Sequence, residues 1–344
     1  VATRETMPPK KKAPPKKGGD EVDVTVQMKR VKAEMNKAVA ERELPPEVAD
    51  ELVKFLVGKI QESLSTSSLK LIFTGDKPGP LGVQLLAAVM RELTPNMLNM
   101  KTLCFWKTLL GDPGLRSVCQ WVLPLRKNEV LNYPGFLHLE LVDCRVSTVG
   151  CDYLAQSLRT NVPLQSLCLD FNAIGDEGVA MLAEGLRYNR ELAKLSLGYC
   201  RIGPAGGTVI GDEIIRSSKL KRILLPGNRI MEVGLMAISR NLGKSSTLVE
   251  LDISDNSIGP EAAALNQFCE GLRTNTSLEK VNMDSNVIGV DGAMLLQEAL
   301  GMCANIKIFQ ISCKGVPAEI FKEVNRDGKA KKGKKGKTGG KKKK

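Results

Sequence analysis

A spacing constrains this chain more than any other feature of its sequence. Repeat starts fall at Ser68, Met100, Phe136, Leu164, Leu192, Leu220, Leu248, Leu278 and Ile306, so successive starts lie 32, 36, 28, 28, 28, 28, 30 and 28 residues apart. From Leu164 the pattern runs through Leu167, Leu169, Asn172, Ile174, Gly175, Gly178, Leu182 and Leu186. The unit from Leu220 repeats it with Ile223, Leu225, Asn228, Ile230 and Gly234, and the unit from Leu278 with Val281, Met283, Asn286, Ile288, Gly289 and Gly292. A period of this size over most of a chain means stacked copies of one supersecondary unit, none of which buries its apolar face alone.

Each unit reads mechanically. The alternating LxxLxL stretch is a strand with its leucines turned inward. The Asn eight residues after the start has an amide able to bond the backbone of the buried bend that follows, one rung per unit. Cys144 and Cys200 stand at that position as weak donors, with Thr108 and Asp76 as further substitutes. Gly after the Ile is free to take positive φ and close the turn. A helix follows, burying residues such as Leu182 and Leu186.

The 28-residue unit LxxLxLxxN/CxIGxxGxxxLxxxL resembles the ribonuclease-inhibitor-like class of leucine-rich repeats. That resemblance implies an α/β solenoid, a horseshoe of about eight repeats and a terminal partial unit. Parallel strands line its concave face and helices its convex face. It also implies a general binding scaffold, which leaves the function to be argued from particular residues.

The flanks divide the chain further. Residues 20–67 read as a helical segment: Val26, Val31, Met35 and Val39 keep near-helical spacing, Pro45-Pro46 interrupt it, and Val48, Leu52, Phe55, Leu56 and Ile60 resume it. The second helix is the better cap over the first repeat, while the first is a cap or a partner-binding arm. Residues 68–325 form the repeat domain, closed by a short helix over 317–324. Residues 1–19 and 326–344 are basic tails, expected to be disordered when free because they hold too little apolar surface to pack. Met7 follows six residues that look foreign to the natural protein.

The net charge of +12 resides in those tails: residues 329–344 contribute +10 and residues 1–17 contribute +5, leaving −3 for the body. Lys331, Lys332, Lys334, Lys335, Lys337, Lys341, Lys342, Lys343 and Lys344 form a run that attracts polyanions by charge alone. Tubulin's acidic tails, RNA, DNA and an acidic membrane all qualify. Aromatic interleaving is absent, so nucleic acid is not favoured. No lipidation motif, signal peptide or apolar stretch of membrane-spanning length appears. The chain is therefore expected to be soluble and intracellular, without membrane insertion. Its nine scattered cysteines read mostly as small buried hydrophobes.

Catalysis finds little support. His138 is the only histidine and sits on the expected inner surface beside Glu140. No nucleophile elbow, zinc-protease or phosphate-loop pattern occurs, and no cofactor or metal is expected. Asp176 and Glu177 read as charges favouring a helix N-terminus.

Binding finds more. Positions two, four, six and seven after each start should face the concave side. The candidate protein-binding residues there are Trp106, His138, Glu140, Asp143, Asp170, Phe171, Tyr199, Arg222, Asp252, Asp255, Lys280 and Asp284, in a face where acids outnumber bases. Aromatic anchors in a polar surround are what protein interfaces use.

The expected function is a non-catalytic scaffold subunit of a multi-subunit complex. Lysine-, proline- and glycine-rich ends around such repeats are similar to ciliary axoneme proteins. This implies a cytoskeletal place in a cilium or flagellum, beside dynein-regulatory or radial-spoke components, with the tails on tubulin. The alternatives are a soluble regulator of one partner, of ribonuclease-inhibitor or GTPase-activating type, and a protein of an RNA particle, with the nucleus as the other compartment.

Overall fold

The computed structural model describes residues 24–66, 70–75, 78–92, 100–124, 135–216 and 219–328. Both lysine-rich tails, and with them the polyanion-binding lysines 331–344, lie outside the described residues, as do Ser68 and Asp76.

Ten strands form one open sheet in strict chain order: β1 (Lys70–Gly75), β2 (Thr102–Thr108), β3 (His138–Val142), β4 (Ser166–Cys168), β5 (Lys194–Ser196), β6 (Arg222–Leu224), β7 (Glu250–Asp252), β8 (Lys280–Met283), β9 (Ile308–Ile311) and β10 (Arg326–Asp327). The first nine are parallel, and one rung crosses them all, from Lys70 through Thr102, His138, Ser166, Lys194, Arg222, Glu250 and Lys280 to Ile308. Alternation then turns the next residue of every strand inward, and Leu71, Leu103, Leu139, Leu167, Leu195, Ile223, Leu251, Val281 and Phe309 are all buried.

Helices return the chain between strands: α3 (Gly79–Glu92), α4 (Gly111–Ser117), α5 (Thr148–Arg159), α6 (Gly175–Tyr188), α7 (Pro204–Val209), α8 (Met231–Leu242), α9 (Ala262–Thr274) and α10 (Gly289–Met302). Leu182 and Leu186 of α6 are buried, as the period requires. Two helices depart from regular form, since α4 and α7 continue into π turns at Val118–Val122 and Ile210–Ile215. Gly211, inside the second, lies on the backbone of α8, where an added Cβ would come within 2.3 Å of the Ala237 carbonyl carbon. Packed helices need about 8–10 Å each and paired strands about 4.8 Å. The stack therefore bends toward its strands, and the strand face is the concave one.

The bend after each strand is held as its sequence demands. Asn228 donates through Nδ2 to the carbonyls of Leu197 (2.8 Å) and Leu225 (2.9 Å), and its Oδ1 accepts from the amides of Cys200 (3.0 Å) and Ile202 (3.1 Å). Asn172 and Asn286 repeat the pattern. Cys200 Sγ donates to Leu169 O at 3.2 Å, and Cys144 Sγ to Phe105 O at 3.1 Å, so thiols replace the amide donor. A second ladder, not anticipated, stands three residues before the starts. Asn189 bonds Leu158 O and the amides of Glu191 and Leu192, and Asn275 makes the equivalent bonds three repeats further on.

Several expectations need correction. Positive φ occurs at Gly175 (64°) and Gly289 (73°) but not at Gly203 (−97°), and Met231 (52°), the first residue of α8, occupies the equivalent place. Asp176 does more than decorate a helix start: its Oδ1 accepts from Gly203 N at 2.6 Å and thereby ties two repeats together. The repeat body extends beyond residue 325, because Arg326 and Asp327 pair antiparallel with β9. The Arg326 guanidinium also donates to the carbonyls of Cys303, Ile306 and Leu300 at the end of α10. Arg326 is thus a structural residue and not the first of a tail. Finally, α1 (Val24–Ala40) is no free arm: it packs on α2 (Pro46–Ser65) and α3 with Met28, Val31 and Met35 buried. A short helix, α11 (Ala318–Val324), lies at the other end.

Candidate protein-binding face

The concave face is built by residues on alternate strand positions, and three rows cross it. Along the N-terminal rim of the sheet stand Lys70, His138, Lys194 and Arg222 of the rung described above. Lys101 and Lys221, one residue before β2 and β6, join them. These side chains surround a groove of about 700 Å3, with Thr102, Glu140, Gln165, Ser166 and Ala193 in its lining. The predominance of acids expected over the whole face does not hold here. Lys101 and Lys221 escape the sequence pattern because the chain bends into each strand, whereas Lys70 stands two residues after its start, at a position the pattern assigns to this face. The residue after each start, which strict alternation assigns to the core side, instead reaches the rim.

Burial holds the His138 imidazole below its ordinary pKa, and Lys70, Lys194 and Lys101 push it the same way against Glu140. Further along the rim the charges pair off: Glu250 takes Lys280 at 2.6 Å and Arg222 at 3.5 Å. The middle row carries Cys104, Glu140, Cys168 and Ser196 on successive strands, so one carboxylate stands among small side chains there. Cys168 is half-buried on this face and not in the core. Burial, with Asp170 adding to it, pushes its thiol up to about 12, and burial with Glu140 does the same to Cys104. Neither is poised as a nucleophile at neutral pH.

The C-terminal rim has the opposite character. Asp143, Asp255 and Asp284 are exposed there and Asp170 is half-buried, while Asp252 stands half-buried in the middle row, in register with Leu224 and Asn282. Asp170 is committed structurally, accepting from Gly198 N at 2.7 Å and Ser196 Oγ at 2.8 Å. Asp252 accepts from Ser254 and from Asn282 Nδ2. Among these acids stand Trp106, Phe171 and Tyr199, which remain 39%, 55% and 47% exposed. Trp106 Nε1 donates to Glu140 Oε2 at 3.0 Å. Phe171 and Tyr199 stack with ring centroids 4.7 Å apart and planes 7° apart. Both occupy left-handed backbone (φ 61° and 54°), and Gly227 holds the same place one repeat later. A Cβ on Gly227 would fall 2.2 Å from the Tyr199 ring, so the ring lies flat on a residue that only glycine can supply.

The structure thus brings His138, Glu140, Lys194 and Arg222 around one groove and sets the aromatic residues and most aspartates on the opposite rim. Arg222, Glu250 and Lys280 form a chain of ion pairs between them. Among the described residues no group of acids, histidine and cysteines is arranged to hold a metal ion, and no helix is long and apolar enough to cross a membrane.

Comparisons with known proteins bear on the fold. No curated protein matches the chain. Among solved structures it is similar to the actin-binding site 2 of leiomodin-1, with 20% identity over 43% of this chain and 86% of that one and a TM-score of 0.37. It is also similar to a tropomodulin C-terminal domain of Caenorhabditis elegans (18% identity, 44% and 92% covered, TM-score 0.38). An internalin of Listeria monocytogenes shares 16% identity over 80% of this chain and 91% of that one, with a TM-score of 0.40. At these values none of the three bears on what the chain binds. Residues 160–183, 244–264 and 274–296 match the family described as Leucine Rich repeat. With nine parallel strands in chain order and a helix returning between successive strands through β9, the molecule is a leucine-rich-repeat solenoid.

Proposed function

We propose that this chain is a non-catalytic scaffold that holds a partner protein on its concave face, as one subunit of a larger assembly. The observation that carries this reading is the Phe171–Tyr199 stack. Two large rings stand half exposed on left-handed backbone, over a glycine that leaves room for them, on the same rim as Trp106 and a row of aspartates. The left-handed backbone itself belongs to the repeat, since Lys107, Asp143, Asp255 and Ser285 share it at the same place, but exposed rings gain nothing from the solvent. Rings of this kind are the usual anchors of protein interfaces.

Affinity capture from an extract of cells that make the protein tests it. The F171A/Y199A variant, folded by circular dichroism, should lose the partner that the wild type retains. Retention by both would contradict the assignment of this face.

In its finer form the reading uses the ribonuclease-inhibitor-like repeat and places the scaffold in a ciliary or flagellar axoneme, beside dynein-regulatory or radial-spoke components. Its lysine-rich ends would lie on tubulin. The charge partition supports this: +10 over residues 329–344 and +5 over residues 1–17, against a body of −3. Salt-sensitive co-sedimentation with microtubules, lost when the acidic tubulin tails are removed or when the chain stops at Asp327, is the expected result. Failure to pellet at low salt would remove tubulin as a partner and leave the concave-face reading standing.

A further inference from the structure

We propose that the N-terminal rim of the concave face is a second, separate docking site: a groove that takes an extended acidic peptide segment of the partner protein, laid across strands β1 to β6. The inference rests on the scaffold reading and adds to it the chemistry of what is bound.

The geometry is that of a cationic track. Lys70, Lys194 and Arg222 share one rung of the sheet, and Lys101 and Lys221 immediately precede that rung on β2 and β6. All five line the same groove of about 700 Å3. From β1 to β6 are five strand-to-strand steps, about 24 Å at the usual spacing. An extended peptide of about seven residues spans that length. None of Lys101, Lys194 and Lys221 is in an ion pair with any other described residue, whereas Arg222 and Lys280 share Glu250 just beyond the groove. Lys101, Lys194 and Lys221 are therefore available to an incoming carboxylate, while Arg222, at the far end of the groove, is shared with Glu250.

Three observations favour a peptide over a nucleic acid. No Phe, Tyr or Trp lines the groove, since Trp106, Phe171 and Tyr199 stand on the other rim, so His138 is the one ring there and a row of bases has no stacking platform. The Glu140 carboxylate lies inside the lining, where it opposes an unbroken row of phosphates but accepts hydrogen bonds from peptide amides. Gln165, Ser166 and Thr102 add neutral groups between the cations, suited to the main chain of a strand-like ligand. Burial first lowers the basicity of His138, and Lys70, Lys194 and Lys101 of the track push it the same way. An anionic segment on this rim and apolar side chains on the other would fix the partner's orientation across the face.

The test uses full-length protein and a fluorescein-labelled peptide of about eight glutamates, read by anisotropy at moderate salt. The charge reversal K194E/K221E should weaken binding about tenfold or more, with the tails identical in both proteins. E140Q, which removes a like charge from the lining, should strengthen it a few-fold. In the wild type, Lys101, Lys194 and Lys221 should become protected from acetylation when the peptide is present, a reading that needs no variant to fold. The proposal is overturned if K194E/K221E binds as the wild type does with protection confined to the tail lysines. It is equally overturned if an oligouridylate of matched charge binds the groove more tightly than the peptide. F171A/Y199A should leave oligoglutamate binding unchanged, so failure of this groove and failure of the aromatic face give different results.

Discussion

At the residue scale the groove can be followed through one side chain, because the chain has a single histidine. Burial and three lysines favour the neutral form of His138 in the folded state, so its pKa lies below the ordinary 6.5. An unfolded chain takes up that proton more readily. The histidine thus takes stability away as pH falls below about 6.5 and has no effect well above it. The imidazole resonance followed by NMR should titrate with a midpoint under 6.5, and K194Q should move it upward; a midpoint above 6.5 would contradict the cationic groove. Backbone strain is the other residue-scale matter. Met231 holds φ 52° where two other repeats place Gly175 and Gly289. M231G should stabilise the protein by about 1 kcal/mol in urea denaturation, the relief of left-handed backbone outweighing the added freedom of the unfolded chain. This strain has no sequence signature, since Phe171, Tyr199 and Met231 are ordinary residues in a string of letters. Only the fold reveals that they sit where glycine fits best.

At the scale of the element, the bend after each strand is where the repeat is enforced. Asn228 satisfies two amides and two carbonyls in a buried bend. N228A orphans them and should cost about 2–4 kcal/mol in chemical denaturation, far more than an alanine at an exposed position. A loss under 0.5 kcal/mol would mean that the ladder is ornamental. This ladder was legible beforehand, thiols at Cys144 and Cys200 included, because a strict eight-residue offset marks it. The second ladder was not. Its positions carry Asn161, Asn189, Ser245 and Asn275 before their starts, in a segment that reads as an ordinary polar connection. The π turns after α4 and α7 were likewise invisible, since nothing in Val118–Val122 or Ile210–Ile215 departs from a helical pattern. Strand β10 was hidden by its length of two residues. Lys101 and Lys221 were missed for a plainer reason: alternation holds within a strand and fails at the bend that begins it, whereas Lys70 and Lys194 stand two residues after their starts, where the pattern already points to this face.

At the scale of the whole molecule, stacking turns local choices into a face with direction. Any one repeat offers a single residue to each rim. Eight or nine in register make a basic N-terminal rim over β1 to β6 and an aromatic and acidic C-terminal rim, with Cys104, Glu140, Cys168 and Ser196 between them over β2 to β5. The helices on the convex side bury their apolar stripes against one another and against the sheet, which leaves the strand face as the surface free to specialise. Cross-linking through lysine amines to the captured partner, read by mass spectrometry, tests this most directly. The expected result is links at Lys101, Lys107, Lys194, Lys221 and Lys280 on the concave side. Links confined to Lys29, Lys54, Lys244 and Lys322, on the helices and helix ends, would contradict it.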